Sequence, residues 1–248
     1  MKCIILAAGY ATRLNPLTEN FPKPLLKIKD KTILDWLIDD INLSNSVDEY
    51  IVISNHKYVD SFEKWIKEKN NSIKITLLDD GTTSNENRKG AVADIQFAIE
   101  SLNLDDDLLV IAGDNVLDFS LNKFIDYFKE KKSTCIMCYY EENVEKLKKS
   151  ATVKLDESDV VTNMIEKPLE PDSNWCSPAF YIYIKDDVKK VKEALHDGCS
   201  KDAPGSFISW LYNKSIVHAM KMPGKRYDIG TLESYDKVNK EYKGIIME

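Results

Sequence analysis

The first 26 residues constrain the fold of this chain more than any other segment. An apolar run, Cys3 to Ala8, ends at Gly9, and a turn of small residues then leads to Thr12 and Arg13. A buried strand that leads into a glycine-containing loop with fixed cations is typical of phosphate-binding sites, because backbone N–H groups and cations both attract an anion. The residues that follow include three prolines, at Pro16, Pro22 and Pro24.

These prolines exclude two common ways of binding phosphate. A dinucleotide-binding turn needs a helix directly after its glycines, and the prolines prevent such a helix here. The P-loop pattern, which closes on Gly-Lys-Ser/Thr, is absent from this segment. Lys23 instead stands between Pro22 and Pro24, ten residues after Arg13. The segment therefore predicts a phosphate-binding loop of another kind.

Alternating strand and helix patterns predict the fold class. In the first half, strands are predicted at 2–8, 49–54, 73–78 and 108–112, and helices at 33–41, 59–69, 91–102 and 121–131. This alternation is typical of a parallel sheet with helices on both faces. The second half is richer in strands, at 134–140, 151–155, 160–165, 179–184 and 216–220, with helices at 186–196, 206–213 and 232–242. We predict a three-layer, Rossmann-like α/β fold with a mixed, mainly parallel sheet.

Composition and charge narrow the class of ligand. The chain has 248 residues, of which 43% are hydrophobic and 30% charged, as in an ordinary globular protein. A net charge of −7 argues against nucleic-acid binding. The first 31 residues reverse this balance, because they hold six cations and two carboxylates. Such a local excess of positive charge indicates an anionic ligand, although a solvated lysine face would show the same pattern.

The cysteines and the hydropathy pattern predict a cytoplasmic protein. Five scattered cysteines form no disulfide framework. Cys135 and Cys138 lie three apart in a predicted strand, so they point to opposite faces and are interpreted as core residues. The apolar run at 3–8 is too short for a secretion signal, and no stretch approaches the ~20 apolar residues of a membrane span.

The opening segment resembles the signature of the sugar-phosphate nucleotidylyltransferases. The matching motifs are Leu6-Ala7-Ala8-Gly9, Thr12-Arg13-Leu14, Pro16-Leu17-Thr18 and Pro22-Lys23-Pro24-Leu25. The resemblance implies a fold of the nucleotide-diphospho-sugar transferase type. It also implies that the nucleotide is bound by Leu6, Ala8, Gly9 and Thr12, and that the catalytic residues are Arg13 and Lys23. One departure is Ala11, which stands where the family usually has its second glycine.

Two aspartates are candidate ligands for Mg²⁺. Asp114 follows Gly113 at the end of the predicted strand 108–112, where it could bind a hard cation or form a turn. By the resemblance, Gly113-Asp114-Asn115 supplies the first metal ligand. Asp228, in a stretch that resembles the family's Asp-Ile-Gly-Thr element, supplies the second; from the residues alone, Thr231 in that stretch could equally begin the last helix.

Three further sets of site residues are implied by the resemblance. Glu166 and Lys167, in a Glu-Lys-Pro element, would contact the hydroxyls and the phosphate of a sugar phosphate. Asn85 and Gly90 would contact the nucleobase, and Ala179 would line the sugar pocket. Thr152 and Ala179 stand where the family often has glycine, and Trp175 lies nearby in the sequence. The added side-chain bulk predicts an altered sugar pocket. The predicted single domain, 1–248, would thus have a nucleotide-binding half at about 1–115 and a sugar-phosphate half at about 116–248.

The implied reaction joins an NTP to a sugar 1-phosphate, giving an NDP-sugar and pyrophosphate with Mg²⁺ as cofactor. The resemblance favours UTP or dTTP. One alternative is a cytidylyltransferase acting on phosphocholine or another non-sugar phosphate, with an aromatic cage drawn from Trp175, Tyr181 and Tyr183. Another is a non-catalytic, nucleotide-sensing protein of the same fold. In each case the expected partners are small phosphorylated molecules, with no nucleic acid and no membrane.

Overall fold

The computed structural model describes residues 1–69 and 73–246. The strands are β1 Lys2–Leu6, β2 Lys27–Ile28, β3 Lys31–Thr32, β4 Glu49–Ser54, β5 Ile75–Asp79, β6 Leu108–Ala112, β7 Val116–Leu117, β8 Thr134–Tyr140, β9 Ala151–Leu155, β10 Val161–Glu166, β11 Trp175–Ser177, β12 Phe180–Tyr183, β13 Val217–Lys221 and β14 Arg226–Tyr227. The helices are α1 Ile33–Asn42, α2 Val59–Lys67, α3 Ala91–Leu102, α4 Asn122–Lys131, α5 Val144–Leu147, α6 Lys185–Val188, α7 Val191–His196, α8 Gly205–Leu211 and α9 Leu232–Glu241.

The contacts within the chain define two compact units. The first consists of Met1–Arg88, Ala112–Lys123 and Pro223–Glu248, and the second of Lys89–Ile111 and Phe124–Met222. The single domain with halves near residue 115 stays a prediction. In the described part of the chain, no helix is long and apolar enough to cross a membrane. The cytoplasmic location also stays a prediction.

Parallel pairing organises the sheet of the first unit. β4 lies between β1 and β5 and pairs with both in parallel, with Cys3 opposite Tyr50 and Tyr50 opposite Ile75. Every residue of β4 is buried. This explains its nearly continuous apolar sequence, since a strand covered on both faces has no need for polar alternation. The carboxyl ends of these strands lead into the loops that hold the candidate site residues of this unit.

A capped helix follows the short β2–β3 hairpin. Thr32 accepts a hydrogen bond from the backbone N–H of Asp35, and the Asp35 carboxylate accepts one from the N–H of Thr32. This reciprocal pair is a capping box, which satisfies two backbone donors at the start of α1. The same carboxylate accepts a hydrogen bond of 3.0 Å from Trp65 Nε1 and pairs with Lys69. Asp35 thus joins the start of α1 to the end of α2.

Removal of the Asp35 carboxylate should make the free energy of unfolding depend less on pH. Burial would raise the pKa of Asp35, but hydrogen bonds from Lys69, Trp65 and Thr32 outweigh it and hold the pKa below its usual value. A lowered folded-state pKa contributes stability above the unfolded pKa, and that stability is lost as the pH falls through the folded value. Asp35→Ala should therefore lower the free energy of unfolding by about 2 kcal/mol at pH 7, and by less below about pH 4.

Urea denaturation at pH 7 and pH 3 measures this difference. The matched control is Asp39→Ala, because Asp39 pairs with Lys31 at the surface, where both side chains are exposed. The control should change stability by less than about 1 kcal/mol. An equal effect of Asp35→Ala at both pH values would contradict the assignment.

The second unit contains a mixed sheet. Its strands follow the order β10-β9-β11-β8-β12-β6, and β13 also pairs with β8. The β13–β8 pairing is parallel, whereas β12 is antiparallel to both β8 and β6. Cys135 and Cys138 are both buried core residues.

The helix predicted at 186–196 is wrong as a single element, because the structure has two helices there, α6 and α7. The break follows Asp187, whose buried carboxylate accepts hydrogen bonds from Thr134 Oγ1, Lys190 Nζ and Ser215 Oγ. The backbone N–H of Lys190 also bonds the Asp187 carbonyl in a tight turn. These tertiary bonds outweigh the continuous helical pattern of the sequence.

Candidate active site

The loop after β1 is held by side chains from the rest of the first unit. Asn55 is fully buried, and its Nδ2 donates a hydrogen bond of 2.9 Å to the carbonyl of Ala8. Thr18 Oγ1 donates a bond of the same length to the carbonyl of Ala11. With these carbonyls engaged, the loop runs past Gly9 into a short 3₁₀ turn, Thr12–Leu14. The sequence alone did not identify Asn55, which follows β4 and lies far along the chain from the loop.

Gly9 and Gly113 differ in the space available for a side chain. A Cβ atom built on Gly9 would meet nothing within 4 Å, so the protein itself gives no reason for glycine at that position. A Cβ on Gly113 would lie 2.9 Å from Ile5 Cγ2 and 3.4 Å from the Leu6 carbonyl oxygen. The Gly113 N–H also donates to that carbonyl, at 3.0 Å. Gly113 is therefore needed for packing, and it holds Asp114 beside the end of β1.

We expect the two glycines to respond differently to alanine. Gly9→Ala should leave the free energy of unfolding unchanged or up to about 1 kcal/mol higher, since its backbone is not in the positive-φ region. Nucleotide binding should nevertheless weaken, because the methyl group occupies space that a closely approaching phosphate would use. Gly113→Ala should cost roughly 1–3 kcal/mol through overpacking.

Thermal unfolding with and without nucleotide separates these effects. Loss of stability in Gly9→Ala, or undiminished nucleotide binding by that variant, would contradict the assignment.

Ala11 adopts a backbone conformation that favours glycine. Its φ of 45° and ψ of 39° lie in the left-handed region. For a residue with a Cβ this conformation costs roughly 1–2 kcal/mol. Ala11→Gly should therefore raise the free energy of unfolding by about 0.5–1 kcal/mol, after subtraction of the greater entropy of glycine in the unfolded chain. Denaturant titration measures the change. Ala203→Gly, at ordinary φ, is the control and should not stabilise; a loss of stability in Ala11→Gly would contradict the argument.

Lys23 and Asp114 form an ion pair in the first unit. Lys23 is buried, and its Nζ donates to Asp114 Oδ2 at 2.8 Å. The Asp114 side chain keeps 45% of its surface accessible, so one face of the carboxylate remains open to a ligand. Burial would raise the pKa of Asp114, but the charges of Lys23 and Arg226 and the Lys23 hydrogen bond hold it below its usual value. Asp114 is therefore ionised at neutral pH.

A two-stranded ribbon brings the two candidate metal ligands together. β7 and β14 pair antiparallel, with Val116 opposite Tyr227. Asp114 lies two residues before Val116, and Asp228 directly follows Tyr227. Continued by one position, this register sets Asp228 opposite Asn115, the residue after Asp114, so both carboxylates extend from the same end of the ribbon. At the other end, Asp118 Oδ1 accepts a hydrogen bond of 2.6 Å from the N–H of Lys225 and helps to fix the register.

The side chains of Arg13 and Asp228 both lie close to Gly230. A Cβ atom on Gly230 would lie 3.7 Å from both Arg13 Nη1 and Asp228 Oδ2. The N–H of Gly230 and the N–H of Thr231 both donate to Ser234 Oγ, and Thr231 also caps α9. Thr231 therefore caps α9, as the sequence allows, and Asp228 takes no part in that cap. The structure thus brings Arg13, Lys23, Asp114 and Asp228 together in one unit.

The donor set at the ribbon fits Mg²⁺. Two carboxylates supply hard oxygen atoms, and Mg²⁺ usually takes one or two carboxylates and completes its octahedron with waters and substrate phosphates. Among residues 1–69 and 73–246, no group of three or more His, Cys, Asp or Glu side chains could hold a metal without such a substrate. Asp114 and Asp228 would be the ligands, and the assignment of Mg²⁺ remains a prediction.

Glu166 and Lys167 lie at the end of β10, in the second unit. A Cβ atom on Gly205 would lie 2.5 Å from Glu166 Oε2, so the carboxylate rests directly on the first residue of α8. Burial raises the pKa of Glu166; nearby Asp202 adds to the rise and Lys167 opposes it. Lys167 has a φ of 49° and its N–H donates to the carbonyl of Ser150. Left-handed backbone at a residue with a side chain is costly and is frequent at functional sites.

The residues predicted to contact the nucleobase have structural roles as well. Gly90 has a φ of 96°, and a Cβ atom on it would lie 2.4 Å from the carbonyl oxygen of Lys201. The carbonyls of Lys201 and Asp202 accept the first N–H groups of α3 at that point. Asn85 is exposed in a short 3₁₀ turn and accepts a hydrogen bond from Arg88 Nη1 at 3.1 Å. Their contact with a base remains a prediction.

The predicted aromatic cage of Trp175, Tyr181 and Tyr183 is wrong, because two of the three rings are inaccessible to a ligand. Tyr181 and Tyr183 are fully buried, and their rings stack with centroids 5.9 Å apart. Only Trp175 is partly exposed, and Lys221 Nζ lies 5.4 Å from its ring centroid. Of the other departures in this half, Thr152 is buried in β9 and Ala179 directly precedes β12. No open cage for a quaternary ammonium group is formed by these residues.

The chain belongs to the nucleotidyl transferase family, whose sequence model matches residues 2–244. It is 28% identical over 257 residues to the bifunctional protein GlmU of Methanocaldococcus jannaschii, covering 100% of this chain and 58% of that protein. It is 23% identical over 246 residues to a UTP–glucose-1-phosphate uridylyltransferase of Haloferax volcanii, covering 96% of this chain and 94% of that protein. The chain spans only 63% and 58% of the first two curated relatives.

Solved structures confirm the fold. A UDP-glucose pyrophosphorylase in complex with UDP-glucose superposes with a TM-score of 0.81 at 21% identity, covering 97% of each chain. At this identity the likeness establishes the fold and not the ligand. The predicted fold type and the family resemblance are both confirmed.

Proposed function

We propose that this protein transfers a nucleotidyl group from an NTP to a sugar 1-phosphate, giving an NDP-sugar and pyrophosphate. The observation that carries the proposal is the ribbon of β7 and β14, which brings Asp114 and Asp228 to one end beside the buried Lys23. Relatives named for sugar 1-phosphate nucleotidyl transfer support it. The roles given below to individual residues are part of the proposal.

The chemistry requires positioning and charge neutralisation. An oxygen of the acceptor phosphate, already anionic, forms a bond to the α-phosphorus, and the bond from that phosphorus to the bridging oxygen of the leaving pyrophosphate breaks. No proton has to be removed from the nucleophile, so no general base is needed. Lys23 would stabilise the charge that develops at the α-phosphate, and Arg13 would hold the leaving pyrophosphate with its planar fork of donors. When bound, Mg²⁺ supplies further charge stabilisation at the phosphates.

The second unit would bind the acceptor. Lys167 would bind its phosphate, and Glu166 would accept hydrogen bonds from its hydroxyls. A carboxylate fixed against Gly205 cannot easily move to suit another shape, and a buried group built to accept hydroxyls discriminates strongly against analogues that lack them. We propose a hexose 1-phosphate as acceptor.

The proposed nucleotide is UTP or dTTP. It rests on the family resemblance and on the Haloferax relative, which is named for UTP. Other relatives are named for adenylyl transfer, including a glucose-1-phosphate adenylyltransferase of Fervidobacterium nodosum. The base preference therefore has to be measured.

A panel of substrates tests the proposal. The protein is incubated with Mg²⁺, each of UTP, dTTP, CTP, ATP and GTP, and either a hexose 1-phosphate or phosphocholine, and pyrophosphate is measured. We expect pyrophosphate that depends on the hexose 1-phosphate and is greatest with UTP or dTTP. Release with CTP and phosphocholine alone would replace the sugar acceptor by phosphocholine. Nucleotide binding without pyrophosphate from any pair would identify a nucleotide sensor and reject the proposal.

A further inference from the structure

Arg226 is a cation of the first unit that the family resemblance does not assign. It is the first residue of β14, directly before Tyr227, and neighbouring side chains on a strand point to opposite faces. Tyr227 points to the opposite face, where its ring packs against Tyr242 with centroids 5.7 Å apart and its hydroxyl lies 3.4 Å from Asp118 Oδ2. Arg226 therefore lies on the other face of the ribbon from Tyr227 and Tyr242.

The contacts of Arg226 direct it toward the first aspartate. Its Nη1 donates to Asn115 Oδ1 at 3.2 Å. Asn115 is buried, and its Nδ2 donates to the carbonyl of Ala112 at 3.0 Å, which fixes the amide with its oxygen toward Arg226. Asn115 directly follows Asp114 in the chain. The hydrogen bond to Asn115 thus holds Arg226 at the segment that carries Asp114.

The balance of charge at this cluster favours an anion. Two carboxylates, Asp114 and Asp228, lie with three cations, Arg13, Lys23 and Arg226. A bare divalent cation would have to approach Asp114 against two of these positive charges. A polyphosphate would be attracted by all three, and its own charge would then favour the metal. A guanidinium is also the side chain best suited to two-point contact with phosphate.

We propose that Arg226 is a phosphate-binding residue of this site, and that its charge causes the site to accept a divalent metal only together with a polyphosphate. The inference rests on the proposed function, because it takes the polyphosphate to be the NTP or the pyrophosphate product. It adds to that function a phosphate-binding residue that the family motifs do not include, and it requires that the metal bind together with the polyphosphate.

The binding of two ligands, measured separately on the wild type and three variants, tests the inference. Inorganic pyrophosphate binding is measured by calorimetry in the presence of a chelator, and Mn²⁺ binding without phosphate is measured by electron paramagnetic resonance. The variants are Arg226→Gln, Arg226→Lys and Lys225→Gln, of which the last removes an exposed neighbouring charge. Arg226→Gln should bind pyrophosphate ~10–100-fold more weakly, as expected for loss of a charged hydrogen bond, and should bind Mn²⁺ more tightly.

The opposite signs distinguish this role from structural damage. Lys225→Gln should change both affinities by less than ~3-fold, since an exposed charge is screened by salt. Arg226→Lys should recover part of the pyrophosphate affinity, because it keeps the charge and loses the planar fork. Weaker binding of both ligands by Arg226→Gln, or no change in pyrophosphate affinity, would overturn the inference and leave the proposed function intact. A wild type that binds neither pyrophosphate nor any NTP would reject both.

Discussion

Asp114→Asn and Asp228→Asn are each expected to lower turnover by at least ~100-fold while the protein remains folded. Both carboxylates extend from the same end of the β7–β14 ribbon, and Mg²⁺ would gain its protein ligands from them. Asparagine keeps the shape of the side chain and removes its charge, so the ribbon register is preserved while metal affinity is lost. Lys23 can still donate its hydrogen bond to the amide oxygen at position 114.

Steady-state rates at increasing Mg²⁺ concentration, together with urea denaturation of each variant, make this measurement. Asp236→Asn is the matched control, because Asp236 is an exposed carboxylate on α9 outside the cluster. The control should keep wild-type activity. Near-normal turnover in either Asp114→Asn or Asp228→Asn would reject the metal assignment for that residue.

Lys23→Ala and Lys167→Ala should impair different parts of the reaction. Loss of the Lys23 ammonium, which lies 2.8 Å from Asp114, removes charge stabilisation at the α-phosphate and should lower turnover ~100–1,000-fold. Lys167 would act on the acceptor, so Lys167→Ala should mainly raise the KM for the sugar phosphate. Arg13→Ala should resemble Lys23→Ala in affecting the nucleotide step, with weaker pyrophosphate binding.

Kinetics with each substrate varied in turn reveal this division of roles. Lys149→Ala, an exposed lysine of the second unit, is the control for Lys167→Ala and should leave both KM values unchanged. A Lys167→Ala variant in which only the NTP parameters changed would contradict the assignment. An undiminished turnover in Lys23→Ala would contradict the role at the α-phosphate.

Elements with a strong local pattern could be predicted from the sequence. The predicted bounds of β4, α3, β6, β8 and β9 agree with the structure. Their apolar periodicity is continuous, and their ends are marked by turn or capping residues. α6 and α7 were predicted as one helix because the buried Asp187 network that separates them depends on residues distant in sequence.

The geometry of the candidate site could be predicted only through the resemblance. β7 and β14 have two residues each and no periodic pattern, and they lie more than 100 residues apart in the chain. Their pairing is a tertiary contact that local propensity does not encode. The resemblance named Asp114 and Asp228 but not Arg226.

Gly90 shows that a residue assigned to ligand binding by resemblance can also be required by the fold. The sequence interpretation gave it a contact with the nucleobase. The structure shows a φ of 96° and a close approach of the Lys201 backbone, both of which require glycine whether or not a base is bound. Loss of activity in Gly90→Ala would therefore not by itself demonstrate base contact, because a folding defect has the same consequence.

The most direct test of the account is ³¹P nuclear magnetic resonance of the reaction products. Wild-type protein with Mg²⁺, UTP or dTTP, and a hexose 1-phosphate should give equal amounts of pyrophosphate and a new diphosphate that links the nucleoside to the sugar. Neither product should form without the hexose 1-phosphate, and both should be lost with Asp228→Asn. Formation of inorganic phosphate and a nucleoside diphosphate instead, or release of pyrophosphate without an acceptor, would contradict nucleotidyl transfer as the function of this protein.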